Sequence, residues 1–122
     1  MDQKVILIID DDRNNVQAVR GILEKAGYAV LAGYTVEEGL RKIEEKTPDL
    51  ILLDLVLPDE SGFRAAHRIK EIPKTKDTPI IAISLKTEAI DKHVAVKSGI
   101  VDYIEKPIDF HRLLFSIADL LK

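Results

Sequence analysis

The sequence predicts an α/β domain, a five-stranded parallel sheet covered by helices on both faces. Three observations carry this. Five short apolar runs alternate with five amphipathic stretches along the 122 residues. The runs are continuous rather than alternating, as strands buried on both faces must be. Two of them end in aspartate, as strands do at the open mouth of such a sheet.

The elements follow in order. Val5–Ile9 is a short β-branched run and reads as a buried strand. Arg13–Ala26 reads as a helix, with Val16, Val19, Ile22, Leu23 and Ala26 on one face and Gly27 as its stop. Tyr28–Leu31 is the second strand, and Val36–Lys46 a helix stopped by Thr47 and Pro48. Leu50–Leu53 is the third strand, Pro58 to Gly62 a turn, and Phe63–Ile72 a helix ending before Pro73. Lys74–Asp77 reads as a polar surface loop. Pro79–Ser84 is the fourth strand, Glu88–Lys97 the fourth helix, and Val101–Ile104 a short fifth strand. Asp109 caps a last helix. In that helix Phe110, Leu113, Leu114, Ile117, Leu120 and Leu121 form the buried stripe, and Phe115 falls on the opposite side.

Composition narrows the function classes. The length suits one domain, 1–122, and 46% apolar residues supply a real core. A formal net charge of −3 argues against nucleic-acid binding. The absence of cysteine excludes a disulfide framework and cysteine-ligated zinc, and fits a cytoplasmic protein. No apolar run is long enough for a signal-peptide core or a membrane span. His67, His93 and His111 lack ligand spacing and read as surface residues.

Right-handed crossovers leave few topologies, one of them the flavodoxin-like strand order 2-1-3-4-5. That order sets the first strand beside the third, so Asp10, Asp11 and Asp54 meet at one mouth. Carboxylates that close cannot all stay ionised unless a cation sits among them. A hard cation that keeps its waters suits them, which points to Mg²⁺. Phosphoryl transfer is the matching chemistry, with one aspartate free to act as nucleophile.

Four ordered pieces make the resemblance specific. They are Ile8-Ile9-Asp10-Asp11-Asp12, Asp49 through Pro58, Pro79 through Ser84, and Asp102-Tyr103-Ile104-Glu105-Lys106-Pro107. Each is weak alone, but together and at strand ends they are a strong signal. Over essentially its whole length the chain resembles a response-regulator receiver domain, the phospho-acceptor module of two-component signalling. The resemblance implies a single-domain flavodoxin-like (βα)5 three-layer sandwich with sheet order 2-1-3-4-5.

It also implies roles. Asp54 is the phospho-acceptor. Asp10 and Asp11 are the Mg²⁺ pair, Asp11 a direct ligand and Asp10 acting through water, with Asp54 and the Val56 backbone carbonyl completing the set. Asp12 has two readings, helix cap or metal tuning. Lys106, whose peptide to Pro107 is cis in the family, neutralises the phosphoryl group in the transition state. The Ser84 hydroxyl contacts a phosphoryl oxygen and draws the following loop inward. Tyr103 is either the aromatic switch partner of Ser84 or an ordinary half-buried tyrosine. Leu85 departs from the family's small residue and narrows access to Asp54, and Lys86 adds charge at the rim.

The implied partners are a histidine kinase or histidine phosphotransfer protein, then a downstream protein target. A homodimer through the surface of the fourth helix, fifth strand and last helix is the other use of that face, with Phe115 a candidate contact. Neither nucleic acid nor membrane is expected for this domain. Such a receiver catalyses only its own aspartyl phosphorylation and dephosphorylation. Three other readings compete. A haloacid-dehalogenase-type phosphatase needs Asp-x-Asp-x-Thr/Val, which fails at Asn14, and a cap domain that this length cannot hold. A flavodoxin-type carrier needs a phosphate loop where Asp11, Asp12 and Arg13 stand. A degenerate receiver acting as a scaffold would not need the complete acid, Asp, Ser and Lys set.

Overall fold

The computed structural model describes residues 3–85 and 97–122. Lys86, His93 and all but the last residue of the expected helix Glu88–Lys97 lie outside the described residues. The five strands are β1 (Val5–Ile9), β2 (Ala29–Gly33), β3 (Leu50–Asp54), β4 (Ile80–Leu85) and β5 (Ile100–Lys106). All pair in parallel, in the order β2-β1-β3-β4-β5. The helices are α1 (Arg13–Lys25), α2 (Val36–Glu45), α3 (Gly62–Glu71) and a C-terminal helix (Phe110–Leu121). Among the described residues none is long and apolar enough to cross a membrane.

Strand alternation divides the core into two layers. Leu7, Ile9, Ile51, Leu53, Ile80 and Ala82 pack with Val36 and Ile43 of α2 and Ala65, Ala66 and Ile69 of α3. Ile6, Ile8, Leu50, Leu52, Ile81 and Ile83 pack with Val16, Val19 and Leu23 of α1 and Leu113 and Ile117 of the C-terminal helix. Nearly every one of these side chains is sealed from water. Burying a side chain of this size is worth about 1.5–3 kcal/mol, so the two layers supply the main driving force for folding.

Each of these described α-helices starts on a cap from a side chain of its own segment. Asp12 accepts from Asn15 N–H, Thr35 from Glu38 N–H, Ser61 from Arg64 N–H, and Asp109 from His111 and Arg112 N–H. The α2 start has a further cap: Asp59, from the loop after β3, accepts from Val36 N–H at 3.1 Å and Glu37 N–H at 3.3 Å. Gly27 ends α1 at φ 100°, a left-handed conformation that favours glycine. Gly62 begins α3 against the main chain of β3, where a Cβ would stand 2.6 Å from the Asp54 carbonyl oxygen.

Several local expectations need correction. Ala26 is exposed, because α1 stops at Lys25 and the chain turns away at Gly27. The polar stretch Lys74–Asp77 is not simply a surface loop. Pro73–Thr75 is a 3-10 turn, and Thr75 is buried with its hydroxyl donating to the Ile69 carbonyl at 2.6 Å. β2 begins and ends later than read, β4 runs on to Leu85, and β5 is seven residues rather than four.

Candidate functional site

The side-chain rows that build the core also build the site. Asp10, Asp54 and Lys106 continue the rows of Ile8, Leu52 and Ile104 beyond the α1 layer of the core. Asp10 follows β1 directly, and its N–H extends the ladder to the Gly33 carbonyl at 3.1 Å. The β1–β3 register pairs Ile9 with Leu53, so Asp10 and Asp54 leave adjacent strands at the same level. The β4–β5 register sets Leu85 beside Lys106.

Three carboxylates meet there. Asp10, Asp11 and Asp54 each offer an oxygen, and the three lie within 4.8 Å of one another. Asp10 is fully buried, Asp54 is 5% exposed, and Asp11 is open to solvent. Lys106 reaches in from β5, with Nζ 2.8 Å from Asp54 Oδ2 and 3.5 Å from Asp10 Oδ2. The Asp10 and Asp54 oxygens also accept from nearby N–H groups. Asp54 Oδ1 accepts from Val56 N–H at 2.9 Å, Asp10 Oδ1 from Asp12 N–H at 2.9 Å, and Asp10 Oδ2 from the Asn15 amide at 2.6 Å. An open cleft over this group is lined by Asp11, Asp12, Asp54, Val56, Leu85 and Lys106.

The electrostatics follow from this packing. Burial pushes the Asp54 carboxyl above the ordinary aspartate range. The Lys106 hydrogen bond and Val56 N–H oppose that, and the Asp10 charge reinforces it. Burial also works against the Lys106 ammonium, but its hydrogen bond to Asp54 and the charges of Asp54 and Asp10 outweigh it. Its pKa therefore lies above the usual lysine range, and it stays charged at neutral pH. The donor set is all oxygen, with the exposed Asp11 able to bind a cation that keeps part of its water. That chemistry fits a hard divalent cation.

The other expected residues fall into place unevenly. Ser84 is buried, and its Oγ has no hydrogen-bond partner among the described residues. Ser84 continues the row of Ile80 and Ala82, the same side on which the Tyr103 ring packs half-buried. Ala82 and Tyr103 are register partners. Asp12 serves as the α1 cap, one of its two readings, and also lines the cleft. The Lys106–Pro107 peptide is cis. Val56 and Leu85 are large exposed apolar residues on the rim, at 59% and 53% exposure. Phe115 is exposed, and so are His67 and His111. Sequence reasoning missed Asn15 and Asp59, although both stand within five residues of a residue it had singled out.

Comparison with known proteins agrees with this geometry. A family model described as response regulator receiver domain matches residues 6–118. Protein PilH of Pseudomonas aeruginosa is 32% identical over 116 residues, covering 95% of this chain and 96% of PilH. The phosphate regulon transcriptional regulatory protein PhoB of the same organism is 36% identical over 119 residues, 98% of this chain but 52% of PhoB. The chain thus spans nearly all of the first relative and about half of the second. The crystal structure of chemotaxis protein CheY4 from Vibrio cholerae superposes with a TM-score of 0.92 at 26% identity, covering 98% of this chain and 100% of that one.

Proposed function

Because the chain belongs to the response-regulator receiver family, we propose that it takes a phosphoryl group from a phospho-histidine onto Asp54. Residues 1–122 act as one receiver unit, a signalling module rather than a classical enzyme. The donor is a histidine kinase or a histidine phosphotransfer protein in the cytoplasm. The observation that carries this reading is the Lys106 ammonium 2.8 Å from Asp54 inside a group of three carboxylates.

The chemistry assigns each residue a task. An Asp54 oxygen forms the new P–O bond as the P–N bond to the donor imidazole breaks. The leaving nitrogen keeps the electron pair and gains a proton. Asp54 is an effective nucleophile only as its carboxylate, and Lys106 and the Val56 N–H favour that form in a buried place. Lys106 then turns toward the transferred group and offsets its charge. The Ser84 hydroxyl, whose Oγ has no hydrogen-bond partner among the described residues, donates to a phosphoryl oxygen. Asp10, Asp11, Asp54 and the Val56 carbonyl would hold Mg²⁺, whose charge offsets the approach of one anion to another.

The output is a protein contact. Moving Ser84 toward the phosphoryl group opens space on the side where Tyr103 packs, and the Tyr103 ring turns to fill it. The β5 and C-terminal helix surface changes with it, carrying exposed Val101 and Phe115 to a downstream target or a second copy of the chain. A two-state shift of this kind needs differential binding of only a few kcal/mol.

The test is exposure to acetyl phosphate with and without Mg²⁺, read by intact mass. One phosphoryl group is expected, dependent on Mg²⁺ and absent in Asp54→Asn. Undiminished labelling of that variant would overturn the assignment.

A further inference from the structure

Asp10 is fully buried, and a buried carboxylate must have its acceptors filled. Its two oxygens are treated differently. Oδ1 takes the Asp12 N–H. Oδ2 is shared between the Asn15 side-chain amide at 2.6 Å and the Lys106 ammonium at 3.5 Å. Lys106 itself stands between two carboxylates, close to Asp54 at 2.8 Å and further from Asp10. Both carboxylates are buried, so charge alone gives Lys106 no reason to prefer Asp54 over Asp10. The difference lies in what already occupies Asp10.

Asn15 is held in place to do this. Its backbone N–H donates to the Asp12 carboxylate, which caps α1, and Asp12 N–H donates back to Asp10. The ring Asp10–Asp12–Asn15–Asp10 closes on itself. It ties the Asp10 carboxylate to the first turn of α1.

We propose that Asn15 is a positioning residue that satisfies Asp10 Oδ2 and so leaves the Lys106 ammonium directed at Asp54. The amide fills the hydrogen-bonding capacity on Asp10 that Lys106 would otherwise take. Without it, Asp10 draws the lysine off Asp54, and the acceptor loses its charge partner. The catalytic part of this inference rests on the reading of Asp54 as phospho-acceptor. The geometric part, the partition of Lys106 between two carboxylates, does not.

Two variants separate the possibilities. Asn15→Leu keeps similar bulk but has no donor, whereas Asn15→Gln keeps the amide. The Lys106 ¹⁵Nζ resonance, assigned by its loss in Lys106→Arg, is recorded on unphosphorylated, cation-free protein. Acetyl phosphate labelling rates and melting temperatures are measured beside it. Asn15→Leu is expected to move the Lys106 signal and to slow labelling about tenfold, the lower end of what an outer partner of a ligand costs. Asn15→Gln is expected to recover most of both. An unmoved Lys106 signal in Asn15→Leu would overturn the proposal. So would equal losses in both variants that track the melting temperature, since Asn15 would then serve only the fold. A wild-type protein that takes no phosphoryl group would overturn the reading of Asp54 instead, and the Nζ comparison would still decide the role of Asn15.

Discussion

Asp49 and Asp54 stand at the two ends of β3, and the chain treats them in opposite ways. Asp49 lies at the closed end of the sheet. Its carboxylate accepts from Val5 N–H at 2.7 Å, and its own N–H donates to the Val5 carbonyl at 2.7 Å. This clasp begins the β1–β3 pairing and leaves nothing unsettled. Asp54 lies at the open end among two more carboxylates, and burial pushes its pKa up despite Lys106. One aspartate stabilises the fold. The other is held in a poor place for a charge, where a cation or a transferred group changes the balance. Residue type alone therefore does not separate a structural carboxylate from a reactive one. The number of charges around it and the hydrogen bonds left over do.

The comparison breaks most visibly at the open end. Lys106→Ala leaves Asp54 and Asp10 without their shared cation. Labelling by acetyl phosphate is expected to slow by at least about a hundredfold, in line with loss of a group aimed at developing charge. Mg²⁺ affinity, followed by titration, should not fall, because one positive charge has left the neighbourhood of the carboxylates. A labelling rate equal to wild type would make Lys106 a structural partner only. Asp11→Ala comes next. Removing one of three carboxylate donors should weaken Mg²⁺ at least about tenfold, and an affinity within a factor of about two of wild type would remove Asp11 from the ligand set. At the closed end, Asp49→Ala should cost about 1–3 kcal/mol in urea unfolding, the price of leaving a buried N–H without its acceptor. The labelling rate of the folded protein should stay unchanged, and any loss there would show that the clasp and the site are coupled.

How much of this could be read beforehand differs between the two kinds of information. The strands follow from five apolar runs, and the meeting of Asp10, Asp11 and Asp54 from the two runs that end in aspartate once right-handed crossovers set the first strand beside the third. The apolar signal of β5 stops at Ile104 because Glu105 and Lys106 are polar. On an edge strand such residues stay in the ladder while their side chains reach the site or the solvent. Thr75 carries a surface signal for the same reason, yet its hydroxyl finds the Ile69 carbonyl and is buried at little cost. Asn15 and Asp59 carry no periodic signal. Their roles depend on where one side-chain atom ends up, on Asp10 Oδ2 in one case and on the first amides of α2 in the other. Asn15 in the first turn after an acidic cap was the legible half of that pair. Asp59 reaches an element 22 residues or more away, which no local pattern encodes.

The finest contrast is between Asp54 and Asp59, five residues apart, whose pKa values move in opposite directions. For Asp59 burial acts upward, but N–H groups at the α2 start outweigh it, and its pKa lies below the ordinary value of 3.8. Its carboxylate therefore favours the folded state above 3.8, and that contribution is lost as pH falls through its lower folded-state pKa. Asp54 has the reverse sign. Its folded-state pKa lies above 3.8, so its charge weighs against folding at neutral pH, and the penalty fades as pH falls through that raised pKa toward 3.8. In cation-free protein, Asp54→Asn should therefore be more stable than wild type at neutral pH, with the gap closing on acidification. Asp59→Asn should be slightly less stable at neutral pH, a small effect because the group is mostly in water. Its gap should persist down to 3.8 and close only below it. Urea unfolding of both variants across that range reads the two signs directly. If Asp54→Asn were the less stable protein at neutral pH, the Lys106 hydrogen bond would outweigh burial, and Asp54 would be a settled structural carboxylate, as Asp49 is with its backbone hydrogen bonds.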